Sequence, residues 1–270
     1  MEKITVILPI HRLEEKEKDY FFNAIESVGV QTSEIKPDIL IVASNEELKK
    51  EIESLLKEDT KDTIKIIVNN GESDFCSQIN FGVDNIDTEW FSVLEIDDEY
   101  SKIWFKKVGE YMSHYEDVEV FLPLVLDVSP EGKFLHFTNE PVWAPEFSDK
   151  LGFLDNDSLL NFPNFQTSGG VYKKEAFKSV GGFKGKIKLH FVYEFLLRMT
   201  YYDKTIMTIP KLGYKKTNMR ENCLFYDYYK KEKGVDRVDP LEAKWWFNTA
   251  KKECYFKQDR GITYELEETV

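Results

Sequence analysis

The sequence predicts an α/β fold: a mostly parallel central sheet with helices on both faces, followed by a helical extension toward the C-terminal end. Short apolar runs rich in Ile and Val alternate with amphipathic stretches through the first half of the chain, which is the pattern of successive strand–helix units. The runs are apolar almost throughout, as strands covered on both faces are. A chain of 270 residues has room for one domain and such an extension.

The first run, 4–8, reads as a strand ended by Pro9, and 20–30 as a helix. A second strand over 39–43 leads to a helix over 46–57, where charges of both signs at helical spacing mark a solvated face. Residues 64–68 are the third strand, 75–83 the next helix and 90–96 the fourth strand. Beyond it the regularity weakens. Strands are predicted over 118–125 and, after the turn Pro130-Glu131-Gly132, over 134–137. The stretch 138–166 is rich in Asn, Asp, Pro and aromatic residues and reads as a long loop, of the kind that forms lids and binding walls. A helix over 193–202 and a strand over 205–209, ended by Pro210, complete the domain expected over residues 1–215. Residues 216–270 are expected as a helical extension packed on that domain, with Asp239-Pro240 opening a helix through about Tyr255.

Hydrophobic residues make up 42% of the chain and aromatic ones 14%, a globular composition. With 36 basic and 49 acidic side chains the formal charge is −13, which opposes nucleic acid and anionic membrane surfaces as partners. Cys76, Cys223 and Cys254 stand far apart and in no metal-ligand spacing, so unpaired thiols in a reducing compartment are expected. The opening residues lack the basic-then-apolar layout of a signal peptide. The most apolar later stretch, 118–128, is too short to span a bilayer. A soluble, cytoplasmic protein without a transmembrane segment is the expectation.

The chemistry concentrates at the end of the fourth predicted strand. Phe91-Ser92-Val93-Leu94 runs into Glu95-Ile96-Asp97-Asp98-Glu99, four carboxylates within five residues. In a strand, Glu95 and Asp97 face the same way while Ile96 points into the core. Adjacent carboxylates repel unless a cation or donors lie between them. Oxygen ligands of this kind suit Mg²⁺ or Mn²⁺, with phosphates and waters completing the shell. In open α/β sheets, ligands bind beyond the carboxyl ends of the strands, which is where these residues stand. A strand running into a solvated acidic turn accounts for the same residues.

In order along the chain, several segments resemble family 2 glycosyltransferases of the GT-A fold over roughly residues 3–215. "ITVILPIHR" looks like that family's first strand, which ends in a proline beside the donor pocket, and "NAIESVGVQT" is similar to its first helix. "NNG" at Asn69–Gly71 and "QINFGV" at Gln78–Val83 resemble its Asn-x-Gly and Ala-x-Asn-x-Gly elements. "LEIDDE" stands where the family carries its DxD motif, and "TSGGVYKKEAFKSVGGF" resembles the acceptor-side segment ending in Val-Gly-Gly-Phe.

The resemblance implies a GT-A fold and a nucleotide-sugar donor, most simply a UDP-sugar, whose diphosphate is bridged by Mn²⁺ or Mg²⁺. On this likeness Asp97 matches the metal-binding Asp, Asp98 is read as orienting a metal-bound water, and Glu95, with Ile96, matches the position facing the ribose. Pro9, His11, Ser44, Asn45, Asn70, Gly71 and Asn80 fall on the donor-binding positions. The chain departs from the family after its second strand, where Val42-Ala43-Ser44-Asn45 replaces a Val-Asp-Asp-Gly-Ser run that contacts the base. Ser44 or Asn45 can still hydrogen-bond a base edge.

A second departure concerns the general base that an inverting transferase needs to take the acceptor's proton. Where the family opens a helix with Glu-Asp before Tyr-Glu and a later Arg, this chain has Phe191-Val192 before Tyr193-Glu194 and Arg198. Three readings follow. Glu194 or His190, four residues apart and on one helical face, acts as base; Glu194 is equally placed for an i,i+4 salt bridge with Arg198. The base comes from the long loop, where Asp149, Asp155 and Asp157 stand. Or no protein base is used, through a retaining mechanism or because the chain is a nucleotide-sugar-binding homologue without turnover.

Trp143 and Phe147 are candidates for stacking on a sugar ring. Lys215, Lys216 and Arg220 lie where such enzymes place a segment near the diphosphate. Trp245-Trp246-Phe247 are expected to dock on the domain or to form a homodimer face. The acceptor is not legible.

Overall fold

The protein is described from a computed structural model, which covers residues 3–56, 63–140, 152–161, 164–187, 190–218, 220–221, 223, 244–245 and 247–252. In chain order the strands are β1 (Ile4–Ile10), β2 (Asp38–Ala43), β3 (Ile64–Val68), β4 (Trp90–Val93), β5 (Glu99–Tyr100), β6 (Val120–Val128), β7 (Phe134–Thr138), β8 (Phe153–Leu154), β9 (Val171–Lys173) and β10 (Ile206–Thr217). The α-helices are α1 (Lys18–Gly29), α2 (Glu46–Leu55), α3 (Phe75–Asp84), α4 (Trp104–Met112), α5 (Asn156–Asn161), α6 (Lys174–Ser179) and α7 (Phe191–Tyr201), with a 3-10 turn at Glu15–Glu17. Two short pieces, β8 and α5, lie inside the stretch expected as one long loop.

Among the described residues the strands make one sheet, ordered β3-β2-β1-β4-β9-β6-β10-β5, with β7 on β6 and β8 on β10. The first half is parallel, as expected: β1 pairs in parallel with β2 and β4, and β2 with β3. At β9 the direction reverses, because β9 is antiparallel to both β4 and β6. Two reversals return β6 to the direction of β4, and β10 runs parallel to β6. The carboxyl ends of β1, β2, β4, β6 and β10 therefore share one rim.

The apolar strands are explained by two cores, one on each face. Ile7, Leu40, Val42 and Phe91 pack with residues of α3, α6 and α7, including Ile79, Phe177, Phe195 and Leu196. Their sequence neighbours Val6, Leu8 and Ile41 point the other way, onto Phe21 of α1, Leu48 and Ile52 of α2, and Trp104 and Phe105 of α4. A strand with helices over both faces has no solvent side, so hydrophobic alternation vanishes from its sequence.

Three expected strand limits move, each for a backbone reason. β1 continues through Pro9 to Ile10, because β4 pairs with β1 only as far as Ile7 and no ladder bond is asked of the proline nitrogen on that side. β10 passes Pro210 and runs to Thr217, accommodating it where the register with β6 shifts between Ile209 and Leu212. That strand crosses the boundary expected at residue 215. β4 stops at Val93, so the acidic residues are not in a strand.

Candidate active site

Glu95-Ile96-Asp97-Asp98 forms a turn closed by the Asp98 amide donating to the Glu95 carbonyl at 3.2 Å. The carboxylates thus sit on a turn, and the expected strand alternation is replaced by it. Ile96 still packs against the core beneath. The turn is tied to the end of β10. The Tyr214 hydroxyl accepts from the Glu95 amide at 3.1 Å, the Thr217 amide donates to Asp98 Oδ1 at 2.8 Å, and the Thr217 hydroxyl donates to the Asp97 carbonyl at 2.7 Å. Beside Tyr214 the chain passes at Gly169, whose φ of +69° and closeness to the ring, 2.5 Å from where a Cβ would stand, leave room for no side chain.

Two cations serve this turn. Arg220 donates from Nε to Asp97 Oδ2 at 2.6 Å and from Nη1 to Glu17 Oε1 at 2.6 Å. Lys216 donates to Gln166 Oε1 at 2.8 Å and is drawn to Glu95, Asp98, Asp127 and Asp97. Gln166 bonds Thr138, whose hydroxyl reaches Asp127 Oδ2 at 3.0 Å, and Asn218 holds the other Asp127 oxygen at 2.5 Å. The register sets Lys216 beside Asp127 and Asp127 beside His136, three neighbouring strands contributing one row at the rim.

Burial and like charge act on these carboxylates together. Burial, then Glu95 and Asp97, push the Asp98 carboxyl well above the usual range. Burial also raises Glu95, with Asp97 adding to it and Lys216 opposing. Burial works against the charge on Lys216, but the surrounding acids outweigh it and hold the ammonium above its ordinary value. Glu17 moves the opposite way: burial is outweighed by the Glu14 amide and Arg220, and its pKa is lowered.

The donor set suits a hard divalent cation. Asp98 Oδ2 is buried without a hydrogen-bond partner, and the five carboxylates of Glu17, Glu95, Asp97, Asp98 and Asp127 outnumber the cations Arg12, Lys216 and Arg220 set among them. Among the described residues no three His, Cys, Asp or Glu side chains converge as a complete metal cage.

The other expected donor residues line the adjacent strand ends. Pro9 lies in β1, and the His11 carbonyl just beyond it accepts from the Ser44 hydroxyl at 2.9 Å. Asn45 caps α2 by accepting from the Leu48 amide at 2.9 Å. Asn69 accepts from the Gly71 amide at 3.0 Å and leaves Asn70 and Gly71 exposed past β3. Gln78 of α3 donates to the Ile10 carbonyl at 3.3 Å. Asn80 faces elsewhere: its amide exchanges two bonds with the backbone of Phe183, at 2.8 and 3.0 Å.

At α7 the base candidates have distinct surroundings. Phe191 at its opening meets Phe75 at the opening of α3, ring centres 5.7 Å apart, so this end of α7 lies near the same rim. Val192 packs against the core. His190 occupies the N-cap position, its ring edge-on to Phe247. Glu194 is fully buried and bonded to Arg198 Nε at 2.8 Å, Arg198 Nη2 at 2.9 Å and Lys184 Nζ at 3.1 Å. Removing a proton from an acceptor would first require it to leave that pair. Of the loop acids, Asp155 accepts from the Ser158 amide at 2.6 Å at the start of α5; Asp149, Trp143 and Phe147 lie outside the described residues, as does Trp246. Phe247 stacks on Tyr193 at 4.7 Å, docking its segment on α7, while Trp245 is 45% exposed.

Sequence reasoning missed Glu17, Asp127, Gln166 and Thr217. For Asp127 there was a signal, a lone acid near the end of an apolar strand. For the other three there was none, since each is tied to partners distant in the chain.

The sequence profile of Glycosyl transferase family 2 matches residues 5–181. No curated protein sequence matches the chain. Solved structures of similar fold include TarS of S. aureus. Its fragment 1–349 in complex with UDP-GlcNAc superposes with a TM-score of 0.62 at 14% identity, over 93% of this chain and 66% of that one. The same fragment with UDP gives 0.59 at 14% identity, over 98% and 76%. A longer TarS structure gives 0.56 at 12% identity, over 98% and 46%. The chain thus spans just under two thirds of the length of the UDP-GlcNAc complex. The shared architecture is the GT-A fold. No helix among the described residues is long and apolar enough to cross a membrane.

Proposed function

The chain belongs to glycosyl transferase family 2, and on that premise we propose that it moves a sugar from a nucleotide-diphosphate donor, a UDP-sugar, to an acceptor hydroxyl. One observation carries the reading: a turn of carboxylates at the common strand rim, faced by Lys216 and Arg220. Acids and bases gathered there suit a ligand that is itself anionic and metal-bridged. The UDP and UDP-GlcNAc complexes of TarS support a uridine nucleotide as the donor handle.

In this reading Asp97 and Asp98 would hold Mn²⁺ or Mg²⁺, whose charge offsets that developing on the departing diphosphate. Glu95 and Ile96 border the ribose. Pro9, His11, Ser44, Asn45, Asn70 and Gly71 line the nucleoside side of the rim, and Asn80 steadies the wall at Phe183. The acceptor oxygen forms its bond to the anomeric carbon as the bond from that carbon to the diphosphate oxygen breaks. The electron pair leaves with the nucleoside diphosphate and the hydroxyl proton passes to a base, for which His190 and Glu194 at α7 are the proposed groups.

Calorimetry with a panel of nucleotide sugars, with and without Mn²⁺, followed by measurement of released UDP on the tightest ligand, tests the proposal. UDP-sugar binding strengthened by Mn²⁺, with UDP release, is the expected result. Absence of binding by every nucleotide sugar sinks it. Binding without release turns the protein into a donor-binding homologue.

A further inference from the structure

Arg220 is placed for more than neutralising a neighbour. Its side chain is 11% exposed, and it joins Asp97 of the acidic turn to Glu17 just before α1, partners 123 and 203 positions away in the chain. Its guanidinium also lies 5.7 Å from the centre of the Tyr20 ring. The fork therefore has two independent anchors, and only one of them is a carboxylate in the metal-ligand turn. Asp97 Oδ2, at 2.6 Å from Arg220 Nε, is occupied by a protein cation.

We propose that Arg220 couples divalent-cation binding to nucleotide binding by holding Asp97 until the donor diphosphate draws the guanidinium away, with Glu17 retaining it throughout. The proposal rests on the nucleotide-donor reading above. A dication approaching Asp97 in the nucleotide-free protein meets a fixed positive charge within a few ångströms, in a setting where such repulsion is only weakly screened. A diphosphate brings at least two negative charges and oxygens that match the guanidinium fork. Once it is present Arg220 exchanges one carboxylate for phosphate, keeps its bond to Glu17, and leaves Asp97 to the cation. Because the coupling is a property of equilibrium, the cation must strengthen nucleotide binding by the same factor.

The test uses the full chain, Mn²⁺ and UDP. Free Mn²⁺ is followed by its electron paramagnetic resonance signal, and UDP affinity by calorimetry at fixed Mn²⁺. In the wild type Mn²⁺ alone binds weakly, and saturating UDP tightens it by about 10-fold or more. Arg220→Met tightens Mn²⁺ binding without UDP several-fold and reduces the enhancement by UDP toward none. Arg220→Lys, which keeps charge but not the fork, lies between and serves if the methionine variant folds poorly. Glu17→Gln removes the second anchor and weakens Mn²⁺ binding further in the absence of UDP. Unchanged Mn²⁺ affinity and unchanged UDP enhancement in folded Arg220 variants overturn the proposal while leaving the donor reading intact. A wild type that takes up no UDP in any condition overturns both.

Discussion

Arg198 forks around the Glu194 carboxylate, with Nε to Oε1 at 2.8 Å and Nη2 to Oε2 at 2.9 Å. The same guanidinium donates to the carbonyls of Val180 and Gly182. On the far side of that segment Asn80 grips Phe183. Glu194 is thus the root of a strut that fixes the loop between α6 and α7 against α3. Its first consequence is mechanical, and any role in proton transfer has to be reconciled with it.

Removing the root should be costly. Glu194→Ala leaves Arg198 buried without its carboxylate and is expected to lower unfolding free energy by about 3–5 kcal/mol. Glu194→Gln retains the shape and one acceptor and should lose less. Urea denaturation checks the order. UDP release measured on the folded glutamine variant then separates strut from base: activity retained assigns the base elsewhere, whereas loss with UDP affinity intact assigns it to Glu194.

Asp97→Asn should weaken Mn²⁺-assisted UDP binding by about 10-fold or more, the equivalent of ~1.4 kcal/mol, because a neutral amide repels no charge but attracts none either. Calorimetry with and without Mn²⁺ reads this directly. UDP binding that still responds to Mn²⁺ as in the wild type would falsify the assignment of Asp97 as a cation ligand.

The raised carboxyl of Asp98 gives a pH signature. A group whose folded pKa lies above its unfolded value contributes stability that is present in acid and lost as pH rises through the folded value. Burial and the charges of Glu95 and Asp97 put Asp98 in that class. Metal-free protein should therefore lose stability as pH climbs above the ordinary Asp value of about 3.9. Asp98→Asn, able to keep the bond from the Thr217 amide, should raise Tm at pH 7–8 by an amount that shrinks toward about pH 4. Melting curves across that range check the sign, and a variant less stable than wild type at pH 8 contradicts it.

Gly182 holds φ at +66°, and a Cβ there would stand 2.5 Å from Asn80 Oδ1. Gly182→Ala should destabilise by about 1–3 kcal/mol. Adding Asn80→Ala to it removes the clash but not the backbone strain, so the double variant should cost less than the two single changes together. A thermodynamic cycle of melting experiments measures the difference.

Much of the fold was legible because burial leaves a local imprint. The runs at Ile4, Ile39, Ile64 and Trp90 are apolar enough to be covered on both faces, and their order predicts a parallel sheet. The direction change at β9 was not legible, since Val171–Lys173 is three residues long and its pairing depends on β4 and β6. Pro9 and Pro210 misled for a related reason. A proline limits a strand only where a neighbour asks for its amide, and neighbours are not written in the local sequence. At α7 both readings of Glu194 were available from the spacing to Arg198, and the contacts with Val180 and Gly182 revealed the strut.

By itself the sequence determined that a family 2 glycosyltransferase fold is present and that a carboxylate cluster closes its fourth strand, because both are carried by residues close together in the chain. Tertiary structure alone decided that the cluster is a turn laced to Thr217, that Lys216 and Asp127 lie beside it, and that Arg220 spans Asp97 and Glu17. The physical reason is the range of the forces. Hydrophobic periodicity reports whether a side chain is buried, whereas charge partners are chosen by proximity in space, across separations of 123 and 203 residues that leave no local trace.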